Sequence, residues 1–166
     1  SETIPGQEGF IRSLAFFPHS ETLAFNGAGG PQSNRTSELK LWDAATRRER
    51  ALLNEKAGYV SALAFSPDGR HFAASIDGPG AVVAATLKLK AEDSRRLMNP
   101  GGSRLLFSPD GSTLAVNQGD TIQLWDGASG RPPASLRAPA PVTDAAFSPD
   151  GRTLATATLA SAPSKA

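Results

Sequence analysis

At 166 residues the chain has the size of a single domain, and 39% apolar with 20% charged residues provides both a core and a water-facing surface. A formal charge of +1 leaves no basic excess to draw in nucleic acid or an anionic membrane; the absence of cysteine excludes disulfides, thiolate metal sites and a cysteine nucleophile, and leaves the compartment open. No apolar run approaches the roughly 20 residues of a membrane helix, and 13 Pro with 16 Gly spread along the chain suit many short strands and turns, so the expected fold class is all-β.

The first residues, Ser1-Glu2-Thr3-Ile4-Pro5-Gly6, carry neither the basic nor the apolar region of a signal peptide, and the start is expected to be cut from something longer. After them a short phrase recurs. Phe-Ser-Pro-Asp-Gly stands at Phe65 to Gly69, Phe107 to Gly111 and Phe147 to Gly151, and in worn form at Phe16 to Ser20. Each copy lies between two apolar runs and reads as the turn of a β-hairpin. Pro, with φ near −65°, fits the first corner of a type I turn, Asp tolerates the second, and Gly takes the left-handed position that makes a bulge. The leading Phe residues, Phe16, Phe65, Phe107 and Phe147, follow one another at intervals of 49, 42 and 40 residues. A period near 40 to 45 predicts propeller blades.

The second half of the repeat carries two alternating strands, Glu38-Leu39-Lys40-Leu41-Trp42-Asp43 and Thr121-Ile122-Gln123-Leu124-Trp125-Asp126, that end in the same Trp-Asp pair. With these endings, the Ser-Pro-Asp-Gly turns and the pairs Leu23-Ala24, Leu114-Ala115 and Leu154-Ala155, the sequence from about residue 10 to 158 resembles the WD-repeat β-propeller family. Its Ala, Arg and Pro richness and the wording Ser-Pro-Asp-Gly-Arg-Thr-Leu-Ala look like bacterial members. The resemblance implies a partial β-propeller of about three and a half four-stranded antiparallel blades. It places strands a to d near 10–17, 21–26, 37–42 and 48–53, then 59–65, 70–76, 85–90 and 94–98, then 103–107, 112–117, 120–125 and 132–136. A fourth unit has only a and b, at 141–147 and 152–158, and 159–166 is expected to be a loose tail.

Two departures matter. The second unit has Lys90-Ala91 where Trp-Asp should stand, which should make it the loosest, and no unit has the Gly-His pair that usually precedes strand a, so the family's His, Ser or Thr, Asp and Trp network is missing. Closed propellers use roughly four to eight blades. The expectation is therefore a fragment of a larger propeller or, ranked second, an arc completed by another copy. Phe16, Leu63, Phe65, Leu105, Phe107, Leu114, Phe147 and Leu154 should be buried between blades, and Trp42 and Trp125 should cover equivalent corners.

No nucleophile elbow, phosphate loop, paired metal-ligand His motif or Asp-rich calcium loop occurs, so no catalytic residue, metal or cofactor is expected. Asp43 and Asp126 read as turn residues, His19 and His71 as surface residues, and Arg47-Arg48, Arg95-Arg96 and Arg131 as a solvated hairpin rim. Asn34-Arg35-Thr36 matches a glycosylation acceptor without a secretory context. The b-to-c loops carry more meaning: the third unit spends about Gln118-Gly119 there, whereas the first inserts Gly27 to Thr36 and the second Asp77 to Ala84. The resemblance puts these loops and the d-to-a loops on one face, and long loops on a rigid scaffold are where binding resides. The expected function is a noncatalytic scaffold that binds a protein or peptide there, with candidate residues Phe10, Arg12, Asn26, Asn34, Arg35, Tyr59, Ser61 and Asp77. The rivals are a propeller accessory to an enzymatic domain outside this chain, TolB-like or peptidase-capping, and a structural arc that completes a ring by oligomerisation.

Overall fold

A computed structural model of the chain describes residues 4, 11–28, 37–55, 59–77, 81–86, 95–98, 104–126 and 134–159. Within them are three four-stranded sheets and one two-stranded sheet, all antiparallel meanders. Blade 1 runs β1 (Ile11–Phe16), β2 (Thr22–Ala28), β3 (Ser37–Asp43) and β4 (Arg48–Glu55). Blade 2 runs β5 (Tyr59–Phe65), β6 (His71–Asp77), β7 (Ala81–Thr86) and β8 (Arg95–Met98). Blade 3 runs β9 (Arg104–Phe107), β10 (Thr113–Gln118), β11 (Thr121–Asp126) and β12 (Ala134–Arg137), and blade 4 has β13 (Val142–Phe147) and β14 (Leu154–Thr158). The first strands β1, β5, β9 and β13 neighbour one another in turn. The fold is a partial β-propeller.

Strand alternation explains why the blades stack. Successive side chains point to opposite faces, and here both faces are apolar because each packs on a neighbour. On β6, Phe72 and Ala74 join Ala24, Leu39, Leu41 and Val60 in the seam between blades 1 and 2, while Ala73 between them joins Leu105, Leu114 and Val116 in the seam between blades 2 and 3. The third seam gathers Ala115 and Ile122 of blade 3 around Val142 of blade 4. Aromatic rings fill the first seam most heavily, with Phe17 and Phe65 centroids 4.5 Å apart and Phe65 to Phe72 6.3 Å.

Most strands fall within two residues of expectation, with one displacement. The third strand of blade 2 lies at Ala81–Thr86, four residues ahead of the expected 85–90, and pairs with β6 from His71↔Thr86 to Ile76↔Ala81. The β-branched Val82 and Val83 favour an extended chain there, and Gly78-Pro79-Gly80 supplies turn residues directly after β6. The b-to-c connection of blade 2 is thus residues 78–80, shorter than the expected insertion. Lys90-Ala91 and residues 160–166 lie outside the described residues. Leu105 and Leu114 are buried, and Leu63, Phe65, Phe107, Phe147 and Leu154 are partly buried against the seams, but Phe16 is 62% exposed. It faces outward from blade 1, where no described blade precedes it. Trp42 and Trp125 occupy equivalent, half-buried positions opposite Leu23 and Leu114.

The turns between the first two strands of blades 2, 3 and 4 share one hydrogen-bond network. Ser66, Ser108 and Ser148 accept at their carbonyls from the amides of Gly69, Gly111 and Gly151 at 2.9, 2.8 and 2.8 Å, which closes a turn with glycine left-handed at φ 66, 73 and 69°. The serine hydroxyls donate to Asp68, Asp110 and Asp150 at 2.5, 2.5 and 2.6 Å and accept from the amides of His71, Thr113 and Thr153 at 2.9, 2.9 and 3.0 Å. Successive turns also nest: Pro18 lies against Gly69, Pro67 against Gly111 and Pro109 against Gly151. The worn first turn differs. It bonds Ser20 N to Phe17 O at 3.3 Å and puts His19 at φ 58°, one position earlier than the glycine of the other turns.

The same network sets an acid limit. Bonds from the serine hydroxyls hold the Asp68 and Asp150 carboxyls below the usual carboxylate range and bring Asp110 down to about 2. A depressed carboxyl binds protons less readily folded than unfolded, so its stabilisation is complete above about pH 4 and is lost as pH falls through the folded value. Melting temperature should therefore hold from pH 7 to 5 and drop between about 4 and 2, with a shallower drop in Asp110→Asn. A main loss between pH 7 and 5 in a thermal scan would assign the limit to other groups.

Candidate functional site

Two places in the arc join several elements through polar chemistry. The first is the blade seam itself. Asn26, fully buried at the end of β2, donates from Nδ2 to the Val60 carbonyl of blade 2 at 2.5 Å, and its Oδ1 accepts from the Ser13 amide at 2.7 Å. A register irregularity between Ile11 and Leu14 frees that amide from the β1–β2 ladder. Asn117 repeats the bond two seams later, between blades 3 and 4, donating to the Val142 carbonyl at 2.7 Å. Here β9 pairs Arg104 with Asn117 in unbroken register, so no bulge amide is offered, and Asn117 Oδ1 is buried without a partner among the described residues. Trp125 Nε1 and Gln123 Oε1 are likewise buried without one. Asn26 is therefore a seam residue, and its expected place on a binding surface is corrected: at 0% exposure its amide is spent on joining blades.

The second place is the face where second strands end and third strands begin. In blade 3 this corner is tight. Gly119, at φ 60°, turns the chain, the Gly119 and Asp120 carbonyls accept from the amides of Val142 and Ala138 at 2.8 and 2.7 Å, and Asp120 pairs with Arg137 at 3.0 Å. Its carboxyl is held low first by the Thr121 hydroxyl and then by Arg137. In blade 1 the same connection spans residues 29–36, outside the described residues. Of the expected site residues, Tyr59 and Asp77 are brought together as cross-strand partners at the end of β5 and β6. Ser61 is half-buried with its hydroxyl on the Ser75 carbonyl at 3.4 Å. Arg12 lies in β1, beside the register irregularity. Phe10, Asn34 and Arg35 lie outside the described residues.

The opposite ends of the strands carry the nested turns and, in blade 1, the third-to-fourth strand turn. Asp43 accepts there from the Thr46 amide at 2.8 Å, which holds its carboxyl below the ordinary range, as a turn residue should. Arg47 takes a left-handed φ of 54° in the same turn.

The family described as WD domain, G-beta repeat matches residues 49–78 and 130–161. These two matches support a WD-repeat family for the chain. Each matched WD repeat begins on the outer strand of one blade and ends on the second strand of the next: residues 49–78 hold most of β4 with β5 and β6, and residues 130–161 hold β12, β13 and β14. The sequence repeat thus stitches adjacent blades together. WD repeats generally mediate protein–protein interaction. None of the curated proteins searched matches the chain.

Sequence reasoning missed the seam role of the asparagines although a signal was present. Leu23-Ala24-Phe25-Asn26 and Leu114-Ala115-Val116-Asn117 place Asn at the same distance from the turn in two WD repeats. This pair of asparagines joins blade 1 to blade 2 and blade 3 to blade 4.

Proposed function

We propose that the chain is a noncatalytic WD-repeat scaffold that docks a protein or peptide on the face carrying the second-to-third strand connections of blades 1 and 2. The observation that carries this reading is the contrast between corners: blade 3 closes its corner with Gly119, Asp120 and Arg137, whereas blade 1 gives residues 29–36 to the same connection. A long connection beside an ordered corner offers varied side chains on a fixed base. Phe10, Arg12, Asn34, Arg35, Tyr59, Ser61 and Asp77 belong to this surface, with Tyr59 and Arg35 as the anchors, because aromatic and arginine side chains dominate interface energies.

Selection of displayed random peptides against the purified chain tests the reading. Selected peptides should lose at least tenfold in affinity to Tyr59→Ala or Arg35→Ala and none to Arg70→Ala, on the nested-turn face. Peptides insensitive to the first two changes, or sensitive only to the third, would move the site elsewhere.

A further inference from the structure

The side chain that joins blades 1 and 2 belongs to the chemically least durable asparagine of the chain. Of five asparagines only Asn26 is followed by glycine; Asn34, Asn54, Asn99 and Asn117 precede Arg35, Glu55, Pro100 and Gln118. An asparagine loses its amide when the nitrogen of the next residue attacks the side-chain carbon, and glycine, with wide backbone freedom and no side chain to crowd the ring, allows that closure best. In the folded chain the reacting atoms are not free to meet. Asn26 is 0% exposed and its amide is clamped at both ends, Oδ1 by the Ser13 amide at 2.7 Å and Nδ2 by the Val60 carbonyl at 2.5 Å. Gly27 is fixed inside the sheet of blade 1, paired with Ile11 on β1 and Glu38 on β3. The Gly27 nitrogen reaches Asn26 Cγ only after Val60 has withdrawn and the end of β2 has left its ladders, which is a local opening of the seam.

We propose that Asn26-Gly27 is a covalent modification site gated by the seam between blades 1 and 2: the amide persists while the seam is closed, and once it opens Asn26 deamidates and the seam cannot re-form as before. The Gly27 nitrogen bonds to Asn26 Cγ, the Cγ–Nδ2 bond breaks, and the proton of the Gly27 amide passes through solvent to Nδ2, which leaves as ammonia. Water then opens the cyclic imide at either carbonyl, leaving aspartate or isoaspartate. Both products disable the joint. An ionised carboxyl has only acceptors, so aspartate turns an oxygen to the Val60 carbonyl where the amide donated. Isoaspartate also adds a carbon to the main chain of β2, between its two partner strands. Opening is thereby made permanent, and blade 1 keeps a record of it. Asn117 makes the same joint at Val142 but is followed by Gln118, so the seam between blades 3 and 4 lacks this property.

Peptide mass spectrometry on the whole chain, folded and in urea, tests this in mildly alkaline buffer. In urea Asn26 should lose its amide at least about tenfold faster than Asn117, and Gly27→Ala should remove most of that advantage. In the folded chain the loss at Asn26 should be slower by at least about tenfold. Leu63→Ala, in the seam between blades 1 and 2, should raise the folded rate at Asn26 severalfold, whereas Val142→Ala, in the seam between blades 3 and 4, should not; circular dichroism verifies that both variants fold, and the urea arm needs no folded variant. Chains deamidated at Asn26, separated by their added negative charge and returned from urea, should melt below unmodified chains treated alike. Equal rates at Asn26 folded and unfolded, no effect of Gly27→Ala in urea, equal acceleration by the two seam variants, or unchanged melting of the deamidated chain would each overturn the proposal.

Discussion

Phe72→Ala should cost about 3 to 5 kcal/mol, the range for truncating an enclosed aromatic side chain, whereas Phe16→Ala should stay within about 0.5 kcal/mol of the unaltered chain. Both residues lie on the first two strands of a blade, and the difference is what covers them. Phe72 is 3% exposed in the seam between blades 1 and 2, with the Phe65 ring 6.3 Å away. Its removal opens a cavity between two sheets whose backbones are fixed by their ladders, so collapse cannot fill it. Phe16 is 62% exposed and leaves no such cavity. Against a typical domain stability of about 5 to 15 kcal/mol, the first change brings the chain close to unfolding. Urea midpoints of dilute monomer measure both, and equal losses would contradict the assignment of the two faces.

The same contrast marks how far the sequence carries. Three copies of Ser-Pro-Asp-Gly predict three turns of one geometry, and the structure has them, because Pro, Asp and Gly act on local torsions and need nothing from the rest of the chain. The strands flanking those turns follow within two residues. The third strand of blade 2 was displaced because its expected position was counted back from a Trp-Asp ending that the unit lacks, while the stronger local signals, Gly78-Pro79-Gly80 and the two valines, stood earlier. Alternation showed that Phe16 points to a blade face but not whether that face has a neighbour. Exposure is a property of the assembly of blades, and an apolar residue at a strand position reads alike in both cases. The candidate site was legible only as loop length. Asn26 looked like a surface residue because a polar side chain ending an apolar strand normally reaches water, and its true partner, the Val60 carbonyl, is 34 residues away in sequence.

That distant bond leads to the sharper expectation, that Asn26→Ala and Asn117→Ala differ although they alter equivalent residues. Removing the Asn26 amide deletes two hydrogen bonds at once, one from the part-buried Ser13 amide and one to the buried Val60 carbonyl. A net hydrogen bond is worth about 0.5 to 1.5 kcal/mol and more where a buried group is stranded, so the loss of the two bonds should be about 1 to 3 kcal/mol. Asn117→Ala orphans the Val142 carbonyl but also removes an Oδ1 that is buried without a partner among the described residues. The two effects oppose each other, and the net change should lie within about 1 kcal/mol of zero. The asymmetry comes from the bulge: blade 1 breaks register between Ile11 and Leu14 and needs an acceptor for the freed amide, whereas β9 pairs in register throughout. Thermal melts of the two variants at pH 7 decide it. Equal destabilisation would mean that the Ser13 bond contributes nothing and that the asparagines serve the carbonyl alone.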